Sequence, residues 1–293
     1  MDNYAFMVSA SKHYLPGLKA LLSSIKKYGG NTAIELYVTP DIDEEVFKED
    51  SELALDASNR EIVWSVSEGK DPKVEMIIDR FKVFAERGRE YDAVCLLDAD
   101  MFLTANVDLF FDLAKSGFIV AGSNGMIIDF DKTYQEKAGI TLGVDNYPYS
   151  KVHTTVPLFL GKKDLDWFMY VYDAWIPGGL DDFLLLNIIG ILLGKNQKMI
   201  CMPPYVFTGI HHWQMKPETA VFEKAGLLLS GTEEQVYMVH GKWWEKGWVD
   251  DLWPTMLRYF DAEDMGKKCK KRSKKAIDLL KDRFEHYLKG DLE

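Results

Sequence analysis

Residues 91–103 read YDAVCLLDADMFL. The run from Val94 to Leu97 is apolar and has the length of a core strand. Asp98 and Asp100 follow it, one residue apart, and Met101 and Phe102 return to apolar character. Carboxylates are seldom buried unless they are paired or bind a metal, so two of them beside a core strand need a reason. Two readings stand. In one, the pair holds a hard divalent cation, Mn2+ or Mg2+, for which oxygen ligands are preferred. In the other, Asp98 caps a turn and Asp100 faces solvent.

Working outward, strands and helices alternate. YAFMVSA (4–10), AIELYVT (33–39) and REIVWSV (60–66) have strand character, and 91–97 is the fourth such run. Between them, residues 15–29 carry apolar side chains at 18, 21, 22 and 25, with Pro16 near the start and Gly29-Gly30 at the end, which predicts a helix. Residues 43–55 and 72–88 are predicted helices as well, and VDLFFDLAKSG and FIVAG continue the alternation. Such alternation with near-continuous apolar strands implies an α/β fold, a mostly parallel sheet covered on both faces. Sheets of this kind bind ligands at the C-terminal ends of their strands, where Asp98 and Asp100 fall.

Beyond residue 122 the pattern loosens. Residues 123–152, rich in Gly, Asp and Tyr, read as an insertion or lid within a catalytic domain spanning 1–262. Residues 156–161 return to strand, 164–175 and 180–194 read as helices, and 198–209 contains a strand broken by Pro203 and Pro204. A late strand is expected at 236–241. Residues 263–293 form a basic tail, GKKCKKRSKK and then an amphipathic helical pattern. That tail suits either peripheral contact with an anionic membrane surface or a helix packed on the domain.

Composition narrows the function. The chain has 293 residues, 47% of them hydrophobic, which suits one large α/β domain or a domain plus an appendage. Its formal net charge of −11 argues against broad binding to a nucleic-acid backbone. Cys95, Cys201 and Cys269 have neither zinc spacing nor an even count, which fits a reducing, cytoplasmic setting. The opening MDNYAFMVSA lacks the features of a signal peptide, and the apolar stretch 183–194 is too short to span a bilayer.

A second polar constellation lies late in the chain, VHGKWWEKGW at 239–248. His240 follows an apolar strand, with Lys246 and Trp248 six and eight residues on. A neutral imidazole ligates divalent metals, and a lysine beside it neutralises a diphosphate. For a lone histidine, a surface loop packed by its tryptophans is the simpler account.

Taken together, these motifs resemble the retaining glycosyltransferases of family 8, the group that includes glycogenin and bacterial lipopolysaccharide galactosyltransferases. VSASKHYLPGLKALLSSIKK is similar to the family's opening strand and helix, with Ser9 and Tyr14 in its uridine-contact places. Lys82 lies sixteen residues before Asp98, where the family places a basic residue on the preceding helix. YDAVCLLDADMFLTANVDLFF resembles the family's DxD stretch, DFLLLN keeps Asp182 and Asn187, and PPYVFT (203–208) is a looser echo. HGKWWEKGW keeps His240, Lys246 and Trp248 of the family's HFxGxxKPW in register. Phe183 stands for the family's Gln, Trp243 for a Gly, Gly247 for a Pro, and HTTVP (153–157) lacks the family's Asn and Gly. By that resemblance Trp243 falls beside the diphosphate, and Trp243 and Phe183 bear on the sugar pocket more than on the metal site.

The resemblance covers residues 4–250 and implies a GT-A fold, Rossmann-like, with a C-terminal helical tail. It implies transfer of a hexose from a UDP-sugar, of UDP-glucose or UDP-galactose type, to a glycan, protein or lipid acceptor. Asp98, Asp100 and His240 would ligate Mn2+ or Mg2+, and Lys246 would neutralise the diphosphate. Tyr14 would stack on uracil, Ser9 would bond its edge, and Lys82 would lie near the DxD and the sugar hydroxyls. Asp182 would lie on the sugar's reactive face, to orient the acceptor or stabilise an oxocarbenium-like transition state, its bland alternative being a helix cap after Gly178-Gly179. His211 and His212 line either the acceptor cleft or a structural loop.

Other classes fit less well. A dehalogenase-type phosphatase carries its DxD on the first strand, whereas three strand–helix units precede it here. A sugar-nucleotide pyrophosphorylase needs a glycine-rich loop where SASKHYLPG stands. A non-catalytic or diverged protein of the same fold that binds sugar nucleotides or glycans is the principal alternative.

Overall fold

The computed structural model describes residues 3–42, 62–66, 80–127, 152–166, 169, 199–202, 207–209, 220–223, 226–229 and 235–240. Its first strand, β1 (Tyr4–Ala10), has Ala5, Phe6, Met7 and Val8 fully buried. Successive strand residues point to opposite faces, so this run requires cover on both sides of the sheet. A 3-10 turn (Lys12–Tyr14) leads into α1 (Leu15–Tyr28). There Leu18, Leu21, Leu22 and Ile25 form the buried stripe that the spacing predicts, and Lys26 and Lys27 favour the helix C-terminus. Gly30, at φ 54, takes the left-handed conformation that ends the segment.

Next come β2 (Ala33–Val38), β3 (Ile62–Val66), α2 (described as Arg80–Gly88) and β4 (Ala93–Asp98). β5 (Met101–Leu103), α3 (Asp108–Lys115), β6 (Ile119–Ile127) and β7 (Val152–Gly161) follow. The described strands end with β8 (Met199–Cys201), β9 (Phe207–Gly209), β10 (Ala220–Glu223), β11 (Gly226–Leu229), β12 (Gln235–Val236) and β13 (Met238–His240).

Among the described residues seven strands form the central sheet, in the order β3-β2-β1-β4-β7-β6-β8. β3, β2, β1 and β4 are mutually parallel, β7 runs antiparallel to both β4 and β6, and β8 is parallel to β6. The fold is therefore α/β with a mixed, mostly parallel sheet. One face is covered near Phe6, which meets Phe111 of α3 edge-on at 5.3 Å. The other is covered by α2, whose Gly88 lies against Met7 and Val94. From β1 the chain builds outward to β2 and β3, then returns to place β4 on the other side of β1. In sheets of this kind such a reversal marks the ligand-binding position, here at the C-terminal ends of β1 and β4.

Three details depart from the expectation drawn from sequence. β6 continues through residue 127 and β7 begins at Val152, with Ser123 opposite Thr154 and Ile127 opposite Val152. The expected insertion at 123–152 therefore starts and ends within a paired ladder, because backbone pairing tolerates the small polar residues there. β5, β10 and β11 have no counterpart in the sequence reading, and the expected strand at 236–241 is divided between β12 and β13. The helices expected at 43–55 and 180–194, most of 164–175 and the tail at 263–293 lie outside the described residues. Among the described residues no helix is long and apolar enough to cross a membrane.

Candidate metal centre

β4 ends at Asp98 and β5 begins at Met101, so Asp100 occupies the turn between two strands of different sheets. β5 belongs to a small sheet ordered β5-β13-β9. In it His240 pairs with Met101 on one side and with Gly209 on the other. This ladder brings a residue 140 positions away beside the DxD turn. Thr104 lengthens it by donating from its backbone N–H to the Tyr237 carbonyl (2.9 Å) and from Oγ1 to the Val236 carbonyl (2.6 Å). On its other side β5 is tied to α1, where Ser24 Oγ accepts from the Leu103 N–H at 2.9 Å. The turn carrying Asp100 is thus held at both edges, which preorganises its carboxylate.

The three side chains converge. His240 Nε2 lies 3.1 Å from Asp100 Oδ1 and 3.6 Å from Asp98 Oδ2. One ligand-type atom from each of Asp98, Asp100 and His240 lies within 4.8 Å of the others. Asp100 is buried, with a side chain 7% exposed, while Asp98 and His240 retain 25% and 20%. Ligand atoms adjacent to each other on a small octahedral cation are about 3 Å apart. The donors, two carboxylate oxygens and an imidazole nitrogen, suit Mn2+ or Mg2+ better than a thiophilic metal.

Electrostatics tell the same story. Burial opposes a charge on His240, yet Asp100, by charge and hydrogen bond, and then Asp98 outweigh it, against Arg80, and lift its pKa to about 9. A proton on the imidazole stands where positive charge is demanded, and a bound cation would replace it.

A further cation belongs to the centre. Arg80, at the described start of α2, donates from Nη1 to Asp98 Oδ1 at 2.6 Å and to Ser9 Oγ at 3.2 Å. Ser9 and Asp98 are register partners on β1 and β4, so a single guanidinium bridges the two strands at their C-terminal ends. Lys82, the basic residue expected to lie near the DxD, is exposed two residues further along α2. Two residues along a helix turn a side chain about 200° around the axis, so Arg80 and Lys82 leave α2 on different sides. The signal for Arg80 was present in the sequence. It shares helical spacing with Phe84, which makes it a charge on a buried face and in need of a carboxylate.

Tyr14 is half-buried at the end of the 3-10 turn, its ring edge-on to His13 at 5.4 Å, beyond the C-terminal end of β1. Ser9 is buried. Asp182 and Lys246 lie outside the described residues, as do His211 and His212. Comparison of the chain with protein-family models and with curated proteins found no match in either.

Proposed function

We propose that the protein is a metal-dependent glycosyltransferase of GT-A architecture that moves a hexose from a UDP-sugar to a glycan, protein or lipid acceptor. The observation that supports it most is the meeting of Asp98, Asp100 and His240 at the switch point of the sheet. Asp98, Asp100 and His240 would hold a divalent cation, which would supply Lewis-acid stabilisation to a departing diphosphate. Arg80 adds fixed positive charge beside Asp98, and Lys246, from its place in the HGKWWEKGW motif, adds more at the phosphates. Tyr14 offers a ring for uracil at the end of β1, and Ser9, already bonded to Arg80, couples the nucleotide end of the site to the metal end. Asp182 is assigned to the reactive face of the sugar on its sequence position alone.

A binding protein of the same fold is the second reading, favoured by Phe183 and Trp243 where the resembling family has glutamine and glycine. Incubation with a panel of UDP-sugars and Mn2+ separates the two, because a transferase releases UDP and a binding protein does not. Asp100→Ala should lower UDP release by about a hundredfold or more and abolish Mn2+-dependent UDP binding. Mn2+-dependent UDP binding that survives in Asp100→Ala would sink the site assignment under either reading.

A further inference from the structure

Glu35 is a charged residue in the middle of a strand covered on both faces, and it is 3% exposed. Its neighbours across the ladder are Met7 and Val63. Both carboxylate oxygens are engaged: Tyr91 Oη donates to Oε1 at 2.7 Å and Arg87 Nη1 to Oε2 at 3.1 Å. Packing α2 on the sheet does not require this charge. Replacing a buried ion pair by apolar side chains is often neutral or stabilising, because it removes the cost of desolvation. A directional pair adds register, since apolar contact holds a helix on a sheet without fixing its position along the strands.

The geometry identifies what that register controls. Arg80 and Arg87 are seven residues apart, so both leave the same face of α2, about 10 Å apart along its axis. The Arg87 end is fixed by Glu35 and by Gly88, where a Cβ would meet Leu165 Cδ1 at 2.8 Å and Val94 Cγ1 at 3.3 Å. The opposite end carries Arg80 to Ser9 and Asp98. Tyr91, the other partner of Glu35, leads directly into β4, the strand that ends in Asp98.

We infer that Glu35 is a positioning residue: by holding Arg87 and Tyr91 it sets where α2 lies along the sheet, and thereby where Arg80 meets Asp98. Its consequence for metal affinity rests on the reading of Asp98, Asp100 and His240 as a cation site. Its consequence for the placement of Arg80 does not.

The experiment compares the full chain with Glu35→Gln, Arg80→Met and the double variant, by calorimetric titration with Mn2+ and by amide hydrogen exchange across residues 80–85. Removing the guanidinium relieves charge repulsion and frees Asp98, so Arg80→Met should bind Mn2+ about tenfold more tightly. Glu35→Gln should shift affinity in the same direction by about threefold, and should add nothing in the Arg80→Met background. Unchanged affinity in Glu35→Gln, or a full additional effect in the double variant, overturns the inference. If the unaltered chain binds no Mn2+, the metal reading fails separately, and hydrogen exchange decides. Faster exchange of the 80–85 amides in Glu35→Gln supports positioning, and equal exchange refutes it. Should Glu35→Gln not fold, Tyr91→Phe removes one of the two bonds and is subject to the same criteria.

Discussion

Glu35 on β2 and Asp98 on β4 lie on the same face of the central sheet with β1 between them, and the clusters they belong to resolve their charge in opposite ways. In the interior, Glu35 meets one guanidinium and one phenol, and both its oxygens are satisfied within the protein. At the edge, Asp98 and Asp100 crowd one imidazole, with Arg80 alongside. The interior cluster is complete. The edge cluster sets two carboxylates against Arg80 and one imidazole, and it sits at the C-terminal ends of β1 and β4. Completeness marks a structural pair, and negative charge that needs an added cation marks a binding site.

The largest test of that contrast is the response to metal. A ligand that binds only the folded state stabilises it by about 2.7 kcal/mol at a concentration one hundred times its dissociation constant. Mn2+ at that level should raise the thermal midpoint of the unaltered protein, EDTA should reverse the rise, and Asp100→Asn should lose nearly all of it. A gain in Asp100→Asn equal to that of the parent would mean that the cation binds elsewhere.

The second test addresses the interior pair through pH. Burial pushes the Glu35 carboxyl above its ordinary value of 4.5, while Tyr91 and Arg87 pull it back only in part. The folded state therefore holds this proton more tightly than the unfolded chain. The group's stabilising contribution is complete below pH 4.5 and is lost as pH rises through the raised folded value. Glu35→Gln should flatten the fall of unfolding free energy with pH over that window, as read by urea titration at stepped pH. An unaltered slope would show that the carboxyl is not raised.

The same contrast explains what could be read without coordinates. β1, β2 and β4 were legible because their apolar runs have no rival interpretation, and α1 because its stripe at 18, 21, 22 and 25 is unbroken. The convergence of His240 with Asp98 and Asp100 was expected from the motifs that resemble a known family, and the β5–β13 ladder supplies its physical cause. β5 itself was not legible, because three residues carry no period and their strand state depends on β13 pairing with them. Arg80 and Glu35 were missed for another reason. Each is a charge in an apolar setting, the same anomaly that drew attention to LLDAD, but a single charge is weaker notice than two.

The smallest expected effect sharpens the comparison, because distance is held constant while burial changes. Arg89 Nη2 lies 3.0 Å from Asp166 Oδ1, and Arg87 Nη1 lies 3.1 Å from Glu35 Oε2. By distance the two pairs are equivalent. The side chains of Arg89 and Asp166 are 51% and 72% exposed, whereas that of Glu35 is 4% exposed. Water screens the first pair and competes for its hydrogen bonds, so Arg89→Ala should change unfolding free energy by less than about 0.5 kcal/mol. Arg87→Ala leaves a buried carboxylate with Tyr91 as its remaining named partner and should cost about 2 kcal/mol or more, discounted from a fully buried pair because the Arg87 side chain is 38% exposed. Denaturant titration of both variants gives the ratio directly. Equal losses would mean that distance, and not burial, governs charge pairing at this end of the helix, and the case for Glu35 as an anchor would go with it.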